Sequence, residues 1–348
     1  MLGIGVVEGF FGPEWSWESR QKFCASIPDY GGRYYIYAPK RDPFLRKQWT
    51  SDHPAETWAE LRRLSRICHE RKLCFGVGLS PFEIHTHWDA TARRRLSDKV
   101  KVLEDLGLDY LGLFFDDMKG APDLAEKQIE IVDCVRAATK RTLLFCPTYY
   151  SDDPILDKVF GAREPDYLET IGSGIASDVQ ILWTGNKVIS KTISAEELEQ
   201  VARILRRKPL IWDNYFANDG PKQCKFLRLK SLRGRDQQAY EASAGWAFNL
   251  MNQPGLSEIL FAASAKVLLE GQQPTPAFEA AVREIAGPEL ATAILESEML
   301  FDEVGIDKMD EGARSALRQK LEKGGRFGRE AIDWLDGKYV VGAECLTD

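Results

Sequence analysis

The sequence is poor in the features that mark membranes, metal centres and nucleotide sites. It contains no apolar run of about 18 residues, so no helix of it is expected to span a bilayer. It has only four histidines, His53, His69, His85 and His87, and none of its seven cysteines forms a Cys-x-x-Cys pair, which leaves few ligands for a structural zinc. The cysteines (Cys24, Cys68, Cys74, Cys134, Cys146, Cys224 and Cys345) are odd in number and scattered, mostly within apolar runs, as free buried thiols are in a reducing compartment. Neither Gly-x-Gly-x-x-Gly nor the Walker lysine loop occurs. Positive charge does not prevail: 46 Lys and Arg stand against 53 Asp and Glu, a net charge of −7, which argues against nucleic acid or an anionic membrane surface as the main partner. The opening residues 1–8 carry no basic stretch and no small-residue cleavage site, so no leader is expected and a cytoplasmic location is.

What is present is a chain of 348 residues, 44% hydrophobic and 28% charged, enough to bury a large core. Short runs rich in Val, Ile, Leu, Phe and Tyr recur at 4–8, 34–38, 74–79, 110–115, 143–146, 179–183, 210–212 and 245–249. Between them, 55–71, 91–106, 124–138 and 195–206 have helical periodicity with Arg and Glu on the outer face. Strand alternating with helix, the strands continuously apolar, predicts a parallel sheet covered by helices. Eight such repeats in about 270 residues fit a (β/α)8 barrel better than an open doubly wound sheet. From residue 271 the composition turns to Ala, Glu, Leu and Arg, with helical segments at 277–285, 289–303 and 310–322 and no strand pattern before Tyr339-Val340-Val341. The expected division is a barrel over 1–270 and a helical appendage over 271–348, which could pack on the barrel's flank, extend it as a small bundle or build a homodimer.

In such a barrel the chemistry lies at the C-terminal ends of the strands. Those ends read Glu8-Gly9-Phe10-Phe11-Gly12, Ala38-Pro39-Lys40, Ser80-Pro81, Asp116-Asp117, Pro147-Thr148-Tyr149-Tyr150, Trp183-Thr184-Gly185, Trp212-Asp213-Asn214 with Ala217-Asn218-Asp219, and Asn249. Carboxylates, amides, a lysine and aromatic rings converging on one mouth suit a sugar, whose faces stack on rings while its hydroxyls take polar partners. Asp116-Asp117 stands out, because two ionised carboxylates side by side at a buried strand end are costly. A helix N-cap followed by an acid favoured by the helix dipole is the plainer explanation of the pair. As a site it supports divalent-metal binding, although histidine or acidic ligands are scarce at the other strand ends, or glycoside hydrolysis with one carboxyl protonated and the other ionised.

The strand ends as a set, with Val6-Val7-Glu8-Gly9-Phe10-Phe11-Gly12, Tyr37-Ala38-Pro39-Lys40, Phe115-Asp116-Asp117, Cys146-Pro147-Thr148, Trp183-Thr184-Gly185 and Trp212-Asp213-Asn214, resemble family 84 glycoside hydrolases over about the first 250 residues. That family contains protein O-GlcNAcases and bacterial β-N-acetylglucosaminidases. The resemblance implies a retaining exo-β-N-acetylglucosaminidase that needs no cofactor and works by substrate-assisted hydrolysis, the 2-acetamido oxygen of the sugar attacking its own anomeric carbon to form an oxazoline. It further implies that Asp116 holds the acetamido N–H and Asp117 is the general acid and base. Gly9 (through its carbonyl), Lys40, Asp219 and Asn249 would bind hydroxyls; Asn214 would brace the acetamido-binding carboxylate; Tyr150 would contact the reacting centre, Trp212 would form a wall, and Val188 would line the aglycone side. Phe11 and Gly220 depart from the family, where Tyr and an aromatic residue are common, and Tyr149 competes with Tyr150 for the pocket. A non-catalytic GlcNAc-binding barrel and a metal-dependent hydrolase are the alternative readings.

Overall fold

The structure, a computed structural model, describes residues 1–347. Eight strands, β1 (Ile4–Glu8), β2 (Tyr34–Tyr37), β3 (Cys74–Leu79), β4 (Tyr110–Phe114), β5 (Thr142–Cys146), β6 (Gln180–Trp183), β7 (Leu210–Asp213) and β8 (Gly245–Phe248), form a closed parallel barrel in chain order. The ring shuts where Ile4, Gly5 and Val6 of β1 pair with Trp246, Ala247 and Phe248 of β8. Every expected strand is present, with ends within one or two residues of their predicted places. The strands are buried almost throughout, as strands covered on both faces must be. The barrel interior is packed rather than hollow: a Cβ on Gly112 would come within 2.5 Å of the Phe114 ring, so the ring occupies space that a side chain would otherwise fill.

Around the barrel lie α1 (Trp17–Ser26), α2 (Ala55–Glu70), α3 (Ala90–Glu104), α4 (Leu124–Ala138), α5 (Pro154–Phe160), α6 (Tyr167–Gly174), α7 (Ala195–Leu205), α8 (Gln237–Ala242) and α9 (Pro254–Glu270). Helix starts are chemically marked. Ser194 and Glu197 form a reciprocal capping box on α7, and Asp89 and Asp236 cap α3 and α8. Helix α9 is apolar nearly all round because it is covered twice, by the barrel and by later helices. Those are α10 (Pro274–Ala286), α11 (Pro288–Glu296), α12 (Gly305–Lys308), α13 (Glu311–Leu321) and α14 (Gly325–Leu335). Both α10 and α14 pack on α9, so the C-terminal helices lie on the barrel's flank.

Three details differ from the sequence expectations. The helix predicted over 289–303 is two pieces, because α11 stops at Glu296 and a π-helical turn (Leu300–Val304) follows, where Phe301 turns inward onto Trp334. Helix α14 was not anticipated, although Phe327, Ala331, Trp334 and Leu335 form its buried face. Tyr339–Val341 forms no strand; the segment crosses back towards the barrel mouth, with Val341 buried against Phe11 and Cys224.

Two buried ion pairs brace the mouth from below. Glu8 at the end of β1 takes three hydrogen bonds from the Arg20 guanidinium (2.7–3.1 Å) and another from the Tyr35 hydroxyl. Asp213 at the end of β7 is held by Arg235 (2.9 and 3.0 Å), the Trp246 indole (3.1 Å) and the Tyr215 amide (3.0 Å). Replacing Arg20 by Met would strand the Glu8 charge, and we expect a loss of about 3–5 kcal/mol in unfolding free energy by chemical denaturation. A loss under about 1 kcal/mol would show that Glu8 is accommodated without its partner.

Candidate active site

At the C-terminal mouth of the barrel a cavity is lined by Gly9, Asp116, Asp117, Tyr150, Val188, Trp212, Asn214, Asp219 and Asn249, together with Phe11, Thr184 and Gly220. All the residues singled out from the sequence therefore meet in one place, save that Lys40, buried beside the acids, lines an adjoining cavity.

The acid pair follows β4 directly. Asp117 has a left-handed backbone, φ 60°, which aspartate tolerates better than most residues. The Lys40 ammonium forms a close ion pair with Asp116 Oδ2 and lies 3.8 Å from Asp117 Oδ2. The second Asp116 oxygen, Oδ1, is buried without a hydrogen-bond partner. Burial pushes the Asp117 carboxyl up to about 6, the neighbouring Asp116 charge adding to the rise and Lys40 opposing it. Arg46 Nη2 donates to the Asp117 carbonyl at 3.3 Å and so fixes the turn that carries it. The pair is thus no helix cap: neither carboxyl accepts a bond from a helix N-terminus, and α4 starts several residues later.

Trp212 forms the floor, its indole tilted on Phe114 at 5.3 Å between centroids, with Nε1 buried and unpartnered. It lies so near Gly9 that a Cβ there would come within 2.2 Å of Cζ2, which explains why residue 9 has no side chain. Asp219 accepts the Phe11 amide at 2.9 Å, and its enclosure pushes its carboxyl up to about 6. Of the two tyrosines, Tyr150 lines the cavity, whereas Tyr149 turns outward to give its hydroxyl to the Gly161 carbonyl at 2.6 Å.

Asn214 departs from its expected brace on the acid. Its Nδ2 donates to the Val188 carbonyl at 2.9 Å, and its Oδ1 accepts from Asn249 Nδ2 at 3.0 Å, which leaves Asn249 Oδ1 buried and unpartnered. Three buried polar atoms around one cavity, Asp116 Oδ1, Trp212 Nε1 and Asn249 Oδ1, are therefore unsatisfied, as they would be where a polar ligand supplies the missing partners. Among the described residues no group of three His, Cys, Asp or Glu is arranged to hold a metal ion.

The approach of the C-terminal segment has no counterpart in the sequence signals. Cys345 and Thr347 line the same cavity, which keeps only about 50 Å³ of free space, far below the ~300 Å³ of a typical small-molecule site. The Cys345 thiol is pushed up by burial, then by the charges of Asp219 and Asp117. The segment has no periodicity, and its docking depends on Val341 finding Phe11 across more than 300 positions of chain.

The fold is shared with a solved structure titled as a mutant O-GlcNAc hydrolase of Thermobaculum terrenum, with a TM-score of 0.80 at 21% identity over 96% of this chain and 80% of that one. The Protein O-GlcNAcases of Rattus norvegicus and Mus musculus are each 31% identical over 234 residues, which is 64% of this chain. The match spans only 25% of those longer proteins. A family model described as beta-N-acetylglucosaminidase matches residues 4–298, the eight strands with their helices and the tail helices α10 and α11. With the cavity at the strand ends where the motifs led, the chain belongs to the beta-N-acetylglucosaminidase family of glycoside hydrolases.

Proposed function

We propose that this chain is a retaining exo-β-N-acetylglucosaminidase acting on terminal β-linked GlcNAc, including GlcNAc carried on protein, through substrate-assisted catalysis. The observation that carries the reading is the unequal acid pair: Asp117 raised towards neutrality by burial, and Asp116 tied to Lys40 by one oxygen with the other left free.

In the first step the acetamido carbonyl oxygen bonds to the anomeric carbon as the glycosidic bond breaks, and the proton of Asp117 passes to the leaving oxygen. Asp116 Oδ1 accepts the acetamido N–H and offsets the positive charge that grows on the ring nitrogen and carbon. In the second step Asp117, now ionised, takes a proton from water as that water adds to the anomeric carbon and the oxazoline opens. Two displacements retain the β configuration. The attacking atom is already bonded to the substrate, so no protein nucleophile is required. Asp219, Lys40 and Asn249 are the hydroxyl partners, the Gly9 carbonyl another, Trp212 the floor and Val188 the wall on the aglycone side. The seven cysteines, all free thiols, support placement in a reducing cytoplasm.

The first step needs Asp117 protonated, so a folded-state value of about 6 makes kcat/KM fall tenfold per pH unit above about 6. Measured on an alkyl β-N-acetylglucosaminide, this descending limb should vanish in Asp117→Asn, with the plateau lowered about 10²–10⁴-fold. A dinitrophenyl glycoside, whose leaving group needs no proton, should recover most of that loss. Asp116→Asn should slow both substrates alike, since its contact acts on the ring closure and not on the leaving group. Mass spectrometry of enzyme quenched during turnover should find no sugar bound to an aspartate; an adduct on either acid would replace the assisted mechanism with a protein nucleophile.

A further inference from the structure

Beside the sugar cavity, on the far side of Asp117, lies a second cavity of about 430 Å³. Phe11 and Asp117 line both, so this space adjoins the acid that would protonate the leaving group. Its walls are mostly cationic: Arg41, Arg46, Lys47 and Lys119 line it, with Lys40 engaged by Asp116, and the acids are Glu83, Asp117 and Glu344. Lys47 and Lys119 are exposed and have no ion-pair partner among the described residues. Arg46, nine-tenths buried between the Phe11 and Phe82 rings, uses Nη2 on the Asp117 carbonyl and leaves its Nε–H without an acceptor. A cavity with several cations and a buried guanidinium that still has a hydrogen to give is suited to a carboxylate.

The chain itself puts a carboxylate there. From Glu344 onward the C-terminal segment lies along the boundary of the two cavities with its side chains alternating: Glu344 and Leu346 face the basic one, Cys345 and Thr347 the sugar pocket. The segment makes turns at 343–344 and 346–347, and Ala343 also lines the basic cavity. Glu344 comes within 3.7 Å of Arg41, and the next side chain, Cys345, sets its Sγ, one bond from Cβ like a serine hydroxyl, in the field of Asp117 and Asp219. A turned peptide segment thus fits the cleft with an acidic residue in the basic cavity and the following residue lining the sugar pocket.

We propose that the basic cavity beside Asp117 is a subsite for an acidic side chain immediately preceding the GlcNAc-bearing serine or threonine of a peptide, a place Glu344 holds in this structure. The inference rests on the hydrolase reading for which side of Asp117 the aglycone leaves by, and it is tested by binding rather than turnover. Fluorescence anisotropy with the full chain carrying Asp117→Asn would compare labelled GlcNAc-Ser peptides with Glu or Gln before the serine. The Glu peptide should bind about tenfold more tightly, and Arg41→Ala with Lys47→Ala should bring the two to parity. Glu344→Lys, which sets like charge against Arg41, should tighten binding of the Glu peptide at least threefold. Equal affinity for the two peptides, or a preference that survives the double substitution, overturns the subsite. A glucuronic acid disaccharide that binds more tightly than either peptide, and loses that binding in the double variant, overturns the peptide assignment and gives the cavity to a glycan. Turnover of a neutral aryl β-N-acetylglucosaminide by the unsubstituted protein is a separate measurement: its absence overturns the hydrolase reading, while the peptide comparison still decides the subsite.

Discussion

One ammonium group serves two adjacent carboxylates at the end of β4, and the chemistry of the mouth depends on that shortage of positive charge. Lys40 comes from the loop after β2, two strands along the ring from the acids, and spends its charge on Asp116 at close range and on Asp117 at 3.8 Å. In a buried setting one cation cannot keep two neighbouring acids ionised, so the pair shares its protons unequally. The left-handed turn at Asp117 and the Arg46 bond to its carbonyl hold the two carboxyls in different surroundings and make that inequality a fixed property of the fold.

The strand-end acids of the mouth also differ in how fully they are satisfied. Glu8 and Asp213 end their strands as Asp116 does, yet each is saturated by an arginine and further donors, and neither lines the cavity. Asp116 keeps an empty oxygen, and Trp212 and Asn249 keep an unpartnered atom each in the same space. Saturation lowers the cost of burying a charge, whereas an unsatisfied atom is tolerated where a ligand completes it.

The barrel was legible because its signal repeats: eight apolar runs with amphipathic stretches between them admit few other topologies, and the observed ends differ by a residue or two. The acids were legible because polar residues straight after an apolar run must sit at the strand ends. What the sequence did not carry was choice among partners. Nothing in Trp212-Asp213-Asn214 says that Asn214 donates to the Val188 carbonyl instead of an acid, or that Tyr149 and not Tyr150 turns to Gly161, since those bonds depend on loop geometry fixed by distant contacts. The same holds for α14, whose aromatic face has meaning only once α9 exists to receive it, and for residues 341–347, which reach the mouth through packing with no period to read.

The floor of the sugar pocket has one more consequence. The Trp212 indole rests on Phe114 below and on the bare backbone of Gly9 beside it, so the cavity is blind. A polymer cannot be threaded through a dead end. On the proposed hydrolase reading, a longer glycan offers this space only its terminal residue.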